Sequence, residues 1–123
     1  METDWIADEI DRIEAEIRRI EHQWRSLWRA ERGAHQLPAR WTFSRRALRW
    51  HVVLEDVLEP DVDIEVLPHV LIVRARAEGR GDRLFMGLLP VPADFDAVRP
   101  RIRLERDTLL IVVRRRTAPR GRA

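Results

Sequence analysis

The chain has 123 residues, enough for one domain with an appended helix or tail and too few for two independent cores. Hydrophobic residues make up 45% of it and charged residues 36%, which excludes wholesale disorder on one side and a membrane protein on the other. Cys and Lys are both absent, all 23 basic residues being Arg; disulfides, thiolate metal sites, Schiff bases and the phosphate-binding loop that ends in Gly-Lys are excluded together.

Charge is divided along the chain. Residues 1–33 carry six Arg against nine acids (−3), residues 34–73 four against six (−2), and residues 74–123 thirteen against six (+7). The two ends are therefore complementary in sign. No apolar run reaches the ~18 residues a spanning helix needs, and the acidic start, Met1-Glu2-Thr3-Asp4, is unlike a secretory signal. A cytoplasmic location is the expectation.

Apolar residues recur at Ile6, Ile10, Ile13, Ile17, Ile20, Trp24 and Leu27, a 4-3-4-3-4-3 spacing that keeps one narrow stripe on one side of a helix. This predicts an amphipathic helix over 1–33, capped by Thr3 or Asp4, ended by Gly33, and supported by acid-before-base pairs such as Asp8 and Arg12. Glu9, Glu14, Glu16 and Glu21 flank the stripe, so a parallel homodimer through it sets like charges together. The stripe is expected to bury itself on another surface: its own Arg-rich domain or an assembly partner. A membrane surface is the weaker reading, because the flanks are acidic.

Residues 34–49 hold Pro38, Trp41 and Phe43 without a steady period and read as an aromatic-rich connector. Arg45, Arg46 and Arg49 beside Trp41 and Trp50 suggest stacking on nucleic-acid bases, a signal of low specificity. From Trp50 onward the period becomes two. Val62, Ile64 and Val66 alternate with Asp63 and Glu65, and Pro68-His69 turns the chain into Val70-Leu71-Ile72-Val73. A turn at 78–82, a strand over 83–89, a Pro-punctuated loop over 90–100 and strands at 101–105 and 109–114 complete the pattern. Seven or so short strands without helices between them predict an immunoglobulin-like antiparallel β-sandwich over 50–115. Residues 116–123 read as a basic tail.

The run Val62-Asp63-Ile64-Glu65-Val66-Leu67-Pro68-His69-Val70-Leu71-Ile72-Val73, then Pro92-Ala93-Asp94-Phe95-Asp96, Leu104 and Asp107-Thr108-Leu109-Leu110-Ile111-Val112, resembles the α-crystallin domain of the small heat-shock (Hsp20) family. The resemblance covers about residues 50–115, and a helical arm and a polar tail match the family's layout. It implies a groove for apolar peptide between the strand carrying Ile64 and Val66 and the last strand, with Leu109, Leu110, Ile111 and Val112. Three departures stand out: Thr108 replaces the signature Gly, the connection at 78–82 is short, and the tail has no Ile-x-Ile motif. Strand-exchanged dimers are accordingly not expected, and assembly falls to the helix.

No catalytic pattern is present. His22, His35, His51 and His69 lack metal-ligand spacing, Ser26 and Ser44 sit in no nucleophile turn, and Asp61/Asp63 and Asp94/Asp96 read as solvated carboxylates before they read as a cation site. No enzyme activity, metal or cofactor is expected. The resemblance implies an ATP-independent holdase of the stress response, whose helix stripe, Ile6 to Leu27, takes apolar segments of unfolding clients or assembles copies of the chain. The alternatives are an adaptor that docks on one dedicated protein through the helix, and nucleic-acid binding by the Arg-rich half. The last is the weaker, since Arg74, Arg76, Arg99, Arg101 and Arg103 read first as a solvated strand face.

Overall fold

The computed structural model describes residues 2–30, 35–54, 61–77 and 83–116. Two helices, α1 (Glu2–Gln23) and α2 (Arg25–Ala30), precede eight strands: β1 (His35–Gln36), β2 (Ala39–Phe43), β3 (Ala47–Val53), β4 (Asp61–Leu67), β5 (Val70–Ala77), β6 (Arg83–Pro90), β7 (Phe95–Glu105) and β8 (Thr108–Arg115). They form two four-stranded sheets, β1-β6-β5-β4 (sheet A) and β2-β3-β8-β7 (sheet B), antiparallel except for the short β1–β6 pair. The predicted sandwich is the observed one.

Alternation explains sheet B. Leu48, Trp50 and Val52 of β3 and Leu109, Ile111 and Val113 of β8 point inward and are buried, while Arg49, His51, Leu110 and Val112 stand on the outer face. Opposite them lie Leu71, Val73 and Ala75 of β5 and Leu89 of β6. The Trp50 indole donates a buried hydrogen bond of 3.1 Å to the Pro90 carbonyl, tying the sheets together where β6 ends. β5 is apolar on both faces, as the run Val70-Leu71-Ile72-Val73 requires, because Val70 and Ile72 are covered from outside.

The cover is α1. Ile13 and Ile17 enter the main core, and Ile20 packs with Val70, Ile72 and Met86 on the outer face of sheet A, joined by half-buried Trp24 and Leu27. Burying an isoleucine side chain is worth ~1.5–3 kcal/mol, so these three fix the helix on its own domain. The helical segment is not continuous: at Trp24 its amide is shared between the Ile20 and Glu21 carbonyls, and α2 follows. Thr3 and Asp4 lie inside α1, not before it. Gly33, the turn at 78–82 and the tail beyond 116 fall outside the described residues.

Two further segments differ from the sequence reading. Within 34–49 the chain forms β1 and β2, β2 pairing with β3 so that Trp41 faces Trp50 and Phe43 faces Leu48. The period of two there spans only Arg40 to Phe43, too short to stand out. β7 begins at Phe95, inside the expected loop, and crosses a register shift between Asp96 and Arg101 that takes up Pro100 on an edge strand.

Candidate functional site

Ile6 and Ile10 are two turns and one turn ahead of the buried part of the stripe, beside the edge strand β2. They remain 41% and 37% exposed. Beneath them runs β2, whose inward side presents Trp41 and Phe43, half-buried, with ring centroids 6.3 Å apart and planes tilted by 47°. Helix and strand enclose a largely apolar cleft of about 510 Å³, lined by Ile6, Ile10, Trp41, Thr42, Phe43 and Ser44, with Arg45 at its border.

An ionic clasp holds this part of α1 in place. Glu9 accepts a hydrogen bond from Arg12 and one of 3.1 Å from Arg115 Nη1 at the end of β8. Arg12 also reaches Asp94 Oδ2 at 2.5 Å, and Arg115 Nη1 lies 3.6 Å from the same carboxylate. One turn on, Glu16 accepts from the Ala93 amide at 2.6 Å. The Arg115 guanidinium carbon lies 4.8 Å over the centroid of Phe95, and its Nη2 is buried without a hydrogen-bond partner among the described residues. The hydrogen bond from Arg12, opposed by burial and reinforced by Arg115, holds the Glu9 carboxyl below its ordinary pKa; the same bond raises Arg12.

A second apolar strip follows the edge where β4 and β7 meet across the sandwich. Val66 is 41% exposed on β4, beside half-buried Ile64, while Ile102 and Leu104 on β7 are 49% and 44% exposed. The last strand does not border this edge: β8 lies between β3 and β7. Leu109 and Ile111 are consequently core residues, and Leu110 and Val112 face outward, half-buried. Of the residues expected to line a peptide groove, only Ile64 and Val66 reach the strip. The missed partners, Ile102 and Leu104, alternate with Arg101, Arg103 and Glu105 in sequence, a half-buried strand pattern that was legible.

Of the two carboxylate pairs, Asp94/Asp96 has structural employment: Asp94 takes part in the clasp and Asp96 accepts from the Val98 amide at 2.9 Å. Among the described residues no group of three His, Asp or Glu is placed to hold a metal ion, and no helix is long and apolar enough to cross a membrane. His35 packs against Phe85 at 5.4 Å, and His51 Nε2 lies 3.4 Å from Thr42 Oγ1.

Two solved structures share this arrangement of sheets. Heat shock protein 16.0 from Schizosaccharomyces pombe superimposes with a TM-score of 0.63 at 14% identity, over 76% of this chain and 76% of its own. The fold is that of the small heat-shock proteins. Stress-induced protein 1 from Caenorhabditis elegans gives a TM-score of 0.57 at 12% identity, over 80% of this chain and 78% of its own. No family model and no curated protein sequence matches the chain. The α-crystallin-like sandwich is thus established by structure, at identities that carry the fold alone.

Proposed function

We propose that the chain is an ATP-independent holdase that takes short apolar segments of unfolding proteins into the cleft between the first turns of α1 and β2. The observation that carries this is the exposure of Ile6 and Ile10 above Trp41 and Phe43, in a helix whose other isoleucines, Ile13, Ile17 and Ile20, are buried. Exposed apolar surface bordered by charge binds apolar segments by the hydrophobic effect and keeps the product soluble. No covalent step is involved. The β4–β7 strip with Val66, Ile102 and Leu104 is a second contact, in place of the groove between β4 and the last strand that the family resemblance implied. Assembly of copies draws on the same two apolar surfaces, because Ile13, Ile17 and Ile20 are occupied within the chain.

Heat-induced aggregation of an unrelated, heat-labile enzyme, followed by light scattering without ATP, tests the proposal. The full chain suppresses scattering, and Ile6→Ser with Ile10→Ser loses most of that suppression while staying folded. A folded wild-type chain that gives no suppression at stoichiometric excess contradicts the holdase reading and favours an adaptor whose cleft fits one dedicated partner.

A further inference from the structure

The outer face of sheet B gathers arginines that lie far apart in the sequence. Arg45 and Arg46 come from the β2–β3 turn, Arg49 from β3, Arg101 from β7, and Arg114 and Arg116 from the end of the chain's last strand; they line one cleft of about 550 Å³. Register explains the convergence. Arg49 pairs with Val112, Val112 with Arg101, and Ala47 with Arg114, which sets these side chains on one face. The next row continues it, as Arg40 pairs with His51, His51 with Leu110, and Leu110 with Arg103, which also meets Glu105 at 3.0 Å.

Among the described residues, no acidic side chain lines the cleft. Arg115, which also lines it, carries its own counter-charges in Glu9 and Asp94. Like charges across neighbouring strands oppose folding, and the inner face of sheet B supplies the packing without them. Asp96 stands opposite Arg114 in the register and the Arg116 guanidinium donates to the Ala93 carbonyl, yet the lining keeps a large excess of positive charge, which fits a ligand of the opposite sign.

We propose that this cleft binds the phosphodiester backbone of single-stranded nucleic acid without reading its bases. The basic residues are all arginine, whose planar fork matches phosphate oxygens two at a time. Their spacing is that of an array: Arg49 and Arg101 stand two strands apart, about 9.6 Å, and Arg101 and Arg103 about 6.8 Å along one strand. A row of that kind suits a chain with a charge at every residue better than a lone anion. The cleft is concave and its exposed side chains are charged, which favours a threaded chain over a lipid surface that takes inserted apolar groups. Among the described residues, base stacking has no platform here. Trp50 is turned into the core, Trp41 shares its side of the sheet, and His51, the ring on the outer face, lies against Thr42.

The test uses the full chain and fluorescein-labelled oligo-dT, with anisotropy followed across a salt series. Arg101→Glu with Arg114→Glu, both at exposed positions, is compared with Arg19→Glu and Arg76→Glu, which make the same charge change on α1 and sheet A. The cleft pair weakens binding by about tenfold or more and lowers the magnitude of the log–log salt slope by about 1.4, about 0.7 for each lost phosphate contact. The comparison pair weakens it less than threefold. Arg49→Gln, with no charge reversal, weakens binding in the same direction and guards against a folding defect. Absence of oligo-dT binding at low salt overturns the proposal. So do equal losses in the two pairs, or tighter binding of phosphatidylserine vesicles or polyglutamate than of oligo-dT. Client suppression does not enter any of these readouts, so the holdase reading stands or falls separately.

Discussion

Arg106 shows where the backbone is strained. It has a φ of 54° at the first position of the two-residue turn between β7 and β8, where a hairpin with positive φ at that place alone usually has Gly. The family signature places its glycine at the position of Thr108, and the family resemblance therefore pointed to the wrong residue: Thr108 is in the strand, paired with Glu105. Relief of the left-handed conformation is worth ~1–2 kcal/mol, less the entropy glycine adds to the unfolded chain. Arg106→Gly is expected to stabilise by about 0.5 kcal/mol in urea unfolding. A loss of stability contradicts this account of the turn. Glu9 sets an acid limit at the same scale. Its folded pKa is depressed, so its contribution is present above the ordinary Glu value of about 4.3 and disappears as pH falls through the lower folded value. The stability difference between wild type and Glu9→Gln should shrink as pH is lowered through that window; a constant difference means that Arg12 and Arg115 do not act through the charge.

At the scale of elements, α1 serves two ends. Its spacing told that one stripe exists, and the structure places that stripe, but periodicity carries no information on where a helix leaves its domain. Ile6 and Ile17 are indistinguishable in the pattern; only the reach of the sandwich separates them. Ile17→Ala is expected to cost ~2–5 kcal/mol, and Ile6→Ala less than about 0.5 kcal/mol, in equilibrium unfolding of the full chain. Comparable costs at both positions refute the division of the stripe. Substitution of Ile13 or Ile17 therefore reports on folding, and a test of function belongs at Ile6 and Ile10. The strands were legible where alternation ran for six residues, as in β4, or where a short run was apolar throughout, as at the start of β5. β2 was not, because five residues beside a proline hold too few periods, and the pairing that makes it a strand comes from β3.

For the whole molecule, the order of strands decides which surfaces exist. The sequence contained the arginines of the basic cleft in three separate groups, and their convergence follows from β3, β8 and β7 being neighbours in sheet B. The same order removes β8 from the β4 edge and puts Ile102 and Leu104 there. Pairing between distant segments is non-local, and no local pattern encodes it; that is why the sandwich was legible and its grooves were not. The acidic arm and basic half meet in the structure through Glu9 and Arg115, while Arg12 and Asp94 pair with the polarity reversed.

The central claim is that the cleft under Ile6 and Ile10 receives apolar segments of a client. The chain has no cysteine, so a single Thr42→Cys carries an environment-sensitive fluorophore at the cleft's rim without competing labels. Added to a heat-destabilised enzyme, the labelled chain should show a blue shift and a rise in intensity, absent when Ile6→Ser and Ile10→Ser are also present and absent for a label at Arg76→Cys on sheet A. If aggregation is suppressed while the label at position 42 stays unchanged, clients bind elsewhere and the account is contradicted.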